Sequence, residues 1–169
     1  MPACEGVLNA DSARAIGGRV DQFGNDKELA RKVGVDYTLA GAQAMCAHLS
    51  SSPPLPEGKA FHFVFCSGML AEWDQSRKLY FLEDTRKIKG AIEKALCELA
   101  DEDAAKGGSF KVWIGRPSAL VAHDAAMHKK LMSPLVGGIG TEQVGRAMIK
   151  AAVGEWKERI VENGDLLKM

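Results

Sequence analysis

The chain has 169 residues, of which 46% are apolar, and its 22 lysines and arginines balance 22 aspartates and glutamates. This length and composition predict a single globular domain, 1–169, with enough apolar residues for a core. A formal net charge of zero gives no electrostatic reason to expect a nucleic acid or an anionic membrane as partner.

Strands and helices are predicted to alternate from the first elements onward. Residues 13–16, followed by Gly17 and Gly18, fit the end of a short strand and its turn. Asn25 or Asp26 then caps a helix that runs to about Leu49. The apolar residues of this helix recur at spacings of three or four, which predicts that they form its buried face: Leu29, Val33, Tyr37, Ala40, Ala44 and Ala47. A loop rich in serine and proline, 50–58, follows.

The second half of the chain repeats this alternation. Residues 61–66 have few polar positions, as in a parallel strand covered on both faces. A helix is predicted over 82–99, with one apolar face: Ile88, Ile92, Leu96 and Leu99. A strand at 110–114 stops before Gly115-Arg116-Pro117. Thr141 caps a helix to residue 153, and 159–161 fit a last short strand.

This order predicts an α/β fold, in which three to four parallel strands are joined by right-handed crossovers. A sheet this small leaves one edge uncovered, near Ile16, unless another strand pairs with it. We therefore expect that the chain can self-associate through this exposed sheet edge.

The four cysteines are scattered and contain no C-x-x-C pair, and the histidines do not pair with them at the spacing of metal ligands. No metal site is predicted, and the cysteines fit small core residues in a reducing compartment. No apolar run has the length of about 18 residues that a membrane span needs. The first residues lack the pattern of a secretory signal. We expect a cytoplasmic protein without a membrane or nucleic-acid partner.

The candidate catalytic residues are Ser67, Lys89 and Tyr80. Ser67 follows the predicted strand 61–66, and ligands of open parallel sheets lie outside the carboxyl ends of the strands. A serine there can position a carbonyl, and a lysine can lower the pKa of a tyrosine that acts as acid or base. In sites of this kind the tyrosine usually lies four residues before the lysine, on the same helix face. Thr85 occupies that position here, so Tyr80 is the candidate to replace the tyrosine as acid or base.

Each of these residues has a structural alternative. Ser67 could cap a turn, and Tyr80 could be a partly buried aromatic residue next to a helix. Lys89 could be solvated and paired with Glu93, four residues further on. A hydrolytic triad of Ser67 with His123 and Asp124 is conceivable, but no G-x-S-x-G surrounds the serine.

Four segments occur in the order found in one enzyme family. They are Ala15-Ile16-Gly17-Gly18, Val35-Asp36-Tyr37-Thr38, Phe63-Val64-Phe65-Cys66-Ser67-Gly68, and Lys89-Gly90 with Glu93, followed by Arg116-Pro117. Across 12–161 the chain resembles the carboxyl-terminal part of extended or atypical short-chain dehydrogenase/reductases, the epimerase-like NAD(P)-binding Rossmann proteins.

The resemblance implies a partial Rossmann-like parallel sheet that lacks the amino-terminal nucleotide-binding half. It implies an oxidoreductase that acts on a small-molecule metabolite with NADP or NAD. The implied cofactor-binding residues are Gly17, Gly18, Arg116 and Pro117. Because the 169 residues contain no G-x-x-G-x-x-G phosphate loop, we expect cofactor binding weaker than about 1 mM. The alternative is a non-catalytic truncated remnant, a pseudoenzyme acting by subunit association.

Overall fold

A small parallel β-sheet organises the part of the chain that the computed structural model describes, which is residues 12–14, 18–51, 59–121 and 137–169. The strands are β1 (Ser12–Arg14), β2 (Phe61–Cys66), β3 (Phe110–Arg116), β4 (Leu120–Val121), β5 (Ile139–Gly140) and β6 (Ile160–Glu162). Four of them form one sheet in the order β1-β2-β3-β6, with every pair parallel. The two short strands β4 and β5 pair with each other, also in parallel. The predicted α/β class with a parallel sheet of this size is confirmed.

The helices are α1 (Lys27–Arg31), α2 (Tyr37–Ser51), α3 (Glu83–Ala105), α4 (Thr141–Ala152) and α5 (Asn163–Leu166). A π-helical turn, Lys32–Asp36, joins α1 to α2, and a 3₁₀ turn, Val20–Phe23, precedes α1. Asp26 caps α1 as predicted, because its carboxylate accepts a hydrogen bond from the Leu29 amide at 2.9 Å. None of the helices among the described residues is long and apolar enough to cross a membrane.

The central strand β2 is covered on both faces, as its apolar composition predicts. Phe61, Phe63 and Phe65 alternate along one face and pack in a core with residues of α2, α3 and β3, among them Ala42, Cys46, Ile92, Leu96 and Ile114. Val64 points to the other face, in a second core with residues of α4, α5 and the segment after α4, among them Val144, Ala147, Ala151, Trp156 and Leu166. Helices therefore lie on both sides of the sheet.

The predicted buried face of the first long helix is wrong. Leu29 and Tyr37 are 44% and 55% exposed, and the buried positions are instead Val35, Thr38, Ala42 and Cys46. The buried set also has helical spacing, so periodicity alone does not decide between the two stripes when both contain small residues. The π-helical turn adds a residue within the helix and changes the register between α1 and α2, which a constant helical period does not anticipate.

Two elements extend beyond their predicted ends. Helix α3 continues past residue 99 to Ala105, through a segment of alanines and acidic residues, and Lys106 caps it. Alanine and glutamate favour helix strongly enough to carry it past the last apolar turn. Strand β3 continues past residue 114 to Arg116 and stops directly before Pro117, which has no amide hydrogen to donate. This extension brings Arg116 to the carboxyl edge of the sheet.

Candidate functional site

The carboxyl ends of β2 and β3 lie side by side. The Ser67 amide donates to the Gly115 carbonyl at 2.8 Å, and the Met69 amide donates to the Pro117 carbonyl at 2.8 Å. The segment after β2 therefore remains hydrogen-bonded to the segment at the end of β3. These hydrogen bonds place Ser67, Arg116 and Pro117 together at the carboxyl edge of the sheet, which is where open parallel sheets bind ligands.

Ser67 and Lys89, which the sequence predicts to act together, are in contact. Lys89 Nζ donates a hydrogen bond to the backbone carbonyl of Ser67 at 2.7 Å. The serine is 4% exposed, and its hydroxyl has no hydrogen-bond partner in the described part of the chain. A Cβ at Gly68 would lie 3.1 Å from Lys89 Nζ, so glycine at this position lets the ammonium group reach the strand end.

The surroundings of Lys89 disfavour its charge. Burial lowers the pKa of Lys89 from its ordinary value of 10.5, and the neighbouring Cys66 and Glu93 oppose this shift only in part. Burial also raises the pKa of the Cys66 thiol, against the effect of Lys89. The site therefore has a partly desolvated ammonium group beside a neutral thiol.

This arrangement predicts a pH dependence of stability. Because the pKa of Lys89 is lower in the folded state, the unfolded chain binds more protons between that lowered pKa and 10.5. We expect the unfolding free energy of the wild type to rise with pH in this window, relative to the Lys89→Met variant, which lacks the titrating group. Urea denaturation at a series of alkaline pH values measures this difference. A difference that falls or stays constant toward pH 10.5 would contradict the shift.

A cluster of charged and aromatic side chains, not predicted from the sequence, lies beside this pair. Glu93 is fully buried on α3, and Arg116 donates to it through Nε at 3.0 Å and through Nη2. The Trp73 indole donates to the same carboxylate at 2.7 Å. Arg116 Nη1 also donates to Glu162 at the end of β6, at 2.7 Å. We call these four residues the Glu93 cluster.

The Glu93 cluster engages one of the predicted cofactor-binding residues. Three N–H groups of Arg116 are directed at carboxylates, and both carboxylates raise its pKa, with Glu93 having the larger effect. The Pro117 carbonyl accepts the Met69 amide. Arg116 and Pro117 therefore lie at the predicted edge, but as parts of the network that joins the loop after β2 to the end of β3.

The other predicted residues are elsewhere. Tyr80 is fully exposed and lies before α3, which begins only at Glu83. Thr85 is buried, and its hydroxyl accepts the Val20 amide at 3.1 Å. Gly18 packs against the Gln22 side chain.

Gly17, His123 and Asp124 lie outside the described residues. In the described ranges, no group of three or more histidine, cysteine, aspartate or glutamate side chains could hold a metal ion.

The loop between β2 and α3 is bound to the first turns of that helix. The Glu72 amide donates to the Arg86 carbonyl at 2.9 Å, and Arg86 Nε donates to the Leu70 carbonyl at 2.7 Å. Gly90 lies directly under the loop, where a Cβ would collide with the Glu72 carbonyl. The absence of a side chain at Gly90 allows the loop to cross α3 and bring Trp73 to Glu93.

No protein-family model matches the chain, and no curated protein matches it significantly. A functional assignment therefore depends on the geometry of the carboxyl edge and on the motifs in the sequence.

Proposed function

We propose that the chain is a short-chain dehydrogenase/reductase-like oxidoreductase that acts on a small metabolite with NADP or NAD. The observation that carries this proposal is the 2.7 Å contact between Lys89 Nζ and the Ser67 carbonyl. It joins the serine at a strand end to the lysine of the following helix, the two residues that the sequence singles out. The sheet supports the proposal, because its four parallel strands with helices on both faces are of the general kind found in doubly wound proteins that bind dinucleotides.

The donors at this edge suit the nicotinamide end of the cofactor and the oxygen of a carbonyl substrate. When bound, the nicotinamide supplies or accepts the hydride. The Ser67 hydroxyl has no partner within the described residues but is itself buried, so in this proposal the strand end opens when the substrate binds and the hydroxyl then donates to the carbonyl oxygen. The Lys89 ammonium stabilises negative charge that develops on that oxygen, and its lowered pKa favours proton release toward it.

The exposed Tyr80 is the alternative proton source. It would have to move with the loop to reach Ser67 and Lys89, because the structure holds it on the surface before α3. With Tyr80 on the surface, the proposal takes Lys89 or a water molecule as the proton source.

The proposal predicts how turnover responds to substitution. We expect Ser67→Ala and Lys89→Met each to lower kcat by roughly ten- to a thousand-fold, because each removes a donor to the transition state. The assay is oxidation of NADPH or NADH by small carbonyl compounds, followed by absorbance. Lys94→Met, an exposed lysine of the same helix, is the matched control and is expected to leave kcat unchanged.

Two outcomes would change this assignment. Tyr80→Phe should leave the rate unchanged, and a collapse in rate with the fold intact would show that the tyrosine is the acid. Calorimetric titration with NADP(H) and NAD(H) should give a dissociation constant above about 1 mM, since the chain has no glycine-rich phosphate loop. No turnover with any carbonyl compound at saturating cofactor would reject the proposal.

A non-catalytic role through subunit association is the second candidate. It is favoured by β1, an edge strand of the described sheet, and by exposed apolar side chains of the loop before α3, Leu70 at 51% and Phe81 at 66%. Sedimentation should then show a dimer or larger assembly that dissociates when Leu70 and Phe81 are replaced by serine. A stable monomer would count against this role.

A further inference from the structure

The loop between β2 and α3 has a leucine in a left-handed backbone conformation at each end. Leu70 has a φ of 64° and Leu82 has a φ of 47°. Glycine adopts this region without penalty, whereas a bulky side chain there is strained. Such strain persists only where the surrounding structure imposes it, and it is concentrated in segments that bind a ligand or move. We call residues 70–82 the strap.

The strap lies across the amino-terminal half of α3 and is attached to it by hydrogen bonds. The Glu72 amide donates to the Arg86 carbonyl at 2.9 Å, and the Trp73 indole donates to the Glu93 carboxylate at 2.7 Å. The two segments are closest at Gly90, where a Cβ would lie 2.8 Å from the Trp73 amide nitrogen. These contacts hold the strap against the helix and, through Glu93, join it to the Glu93 cluster.

Little apolar burial holds the strap in this position. All of its residues are described, and none of them is fully buried. Tyr80 and Phe81 in particular direct large apolar surfaces toward solvent. By contrast, α3 is anchored in the core through Ile92 and Leu96, which are almost inaccessible. A segment with strained ends and few apolar contacts can open locally while the helix beneath it stays folded.

We infer that the strap is a hinged cover at the carboxyl edge, with Leu70 and Leu82 as its hinges and the Trp73–Glu93 hydrogen bond as its latch. Opening lets the two leucines leave the left-handed region and relieves their strain, whereas closing restores the hydrogen bonds to α3. The open strap releases Trp73 from the fully buried Glu93 and gives a ligand a path to the Glu93 cluster. This movement is independent of the reaction proposed above, because it does not depend on what the edge binds.

Amide hydrogen exchange of the full chain without any ligand, followed residue by residue by NMR at neutral pH, tests this movement. The reporter is the Glu72 amide, which is bonded to α3 only while the strap is closed, and the reference is the Leu96 amide inside α3. We expect the Glu72 amide to exchange at least tenfold faster than the Leu96 amide. Low concentrations of urea should accelerate exchange at Leu96 much more than at Glu72, because opening of the strap exposes little surface.

The latch is tested by Trp73→Phe, which keeps an aromatic ring and removes the indole donor. Exchange at Glu72 should become roughly tenfold faster or more, since a hydrogen bond to a charged group is lost. Trp113→Phe is the matched control, because the Trp113 indole has no hydrogen-bond partner among the described residues and lies on β3, away from the strap. It should leave the exchange rate at Glu72 unchanged.

The hinges are tested by glycine and alanine at the same position, since both remove the leucine side chain and only glycine adopts a positive φ without strain. Leu70→Gly should slow exchange at Glu72 by roughly three- to tenfold relative to Leu70→Ala, and Leu82→Gly should do the same relative to Leu82→Ala. Leu79 lies within the strap but has no positive φ, so there alanine should give the slower exchange.

Other results would overturn the inference. Equal exchange rates at Glu72 and Leu96 would mean that the strap opens only when the whole chain unfolds. An unchanged rate at Glu72 in Trp73→Phe, or slower exchange with alanine than with glycine at both hinges, would also reject it. If Trp73→Phe does not fold, the glycine and alanine pairs decide, because they leave the latch in place. Turnover has no part in these measurements, so failure of the proposed oxidoreductase would not affect their outcome.

Discussion

The Glu93→Ala variant is expected to lose about 3–5 kcal/mol of unfolding free energy, because it leaves the Arg116 guanidinium without its buried partner. The Trp73 indole, which donates to the same carboxylate, loses its acceptor as well. Urea denaturation at neutral pH, followed by circular dichroism, measures the change. Trp73 should become more solvent-exposed even below the unfolding transition, since the loop loses its contact with α3.

Glu98→Ala is the matched control for this loss. Glu98 is on the same helix, but its side chain is 61% exposed and its nearest cation, Lys94, is 3.9 Å away. We expect a change within about 0.5 kcal/mol, as for most exposed ion pairs. Equal effects of the two substitutions would mean that the Glu93 cluster does not stabilise the fold.

Gly90→Ala is expected to destabilise the protein by about 2–3 kcal/mol, as overpacking of a close contact does. In an ordinary helix interior this substitution stabilises by about 1 kcal/mol. Here the added methyl group would collide with the Glu72 carbonyl and lie 2.8 Å from the Trp73 amide, so the loop would have to leave the helix. The sign of the effect therefore reports whether the loop crosses α3 as described.

The comparison is with Gly145→Ala in α4, where a new Cβ would have no atom within 4 Å. That variant should gain up to about 1 kcal/mol, which is the ordinary helix effect. Thermal and urea denaturation of both variants separate local crowding from helix propensity. Stabilisation by Gly90→Ala would show that the loop does not pack on the helix.

Most of the regular elements were predictable because local pattern determines them. The apolar run of β2 gave its correct bounds, Phe61–Cys66, and the Asp26 cap marked the start of α1. The face of α2 was not predictable in the same way. Two stripes with helical spacing compete there, and the choice depends on the π-helical turn and on packing against the sheet.

The candidate site was predictable only in part. Ser67 and Lys89 could be paired because both follow from strand–helix order, and the structure brings them into contact through the serine carbonyl. The sequence suggested Lys89 as the partner of Glu93, by helical spacing. The observed partner is Arg116, which is close in space only because β3 extends to the sheet edge beside α3. The position of Trp73 could not be predicted from the sequence either, because it depends on the contacts of the loop at Glu72 with α3 at Arg86 and Gly90.

The all-parallel pairing of the sheet has a consequence for how the chain reaches this structure. Each paired strand lies roughly fifty residues from its neighbour in sequence, as in Ser12 with Phe63, Phe61 with Phe110, and Ile114 with Ile160. No tight hairpin can start the sheet, so each pairing must first overcome the entropy of closing a long loop. Helix α3, whose backbone contacts are local, can form early, whereas the strand ends that hold Ser67 and Arg116 come together late. The folding rate is therefore expected to depend on assembly of the sheet rather than on formation of α3.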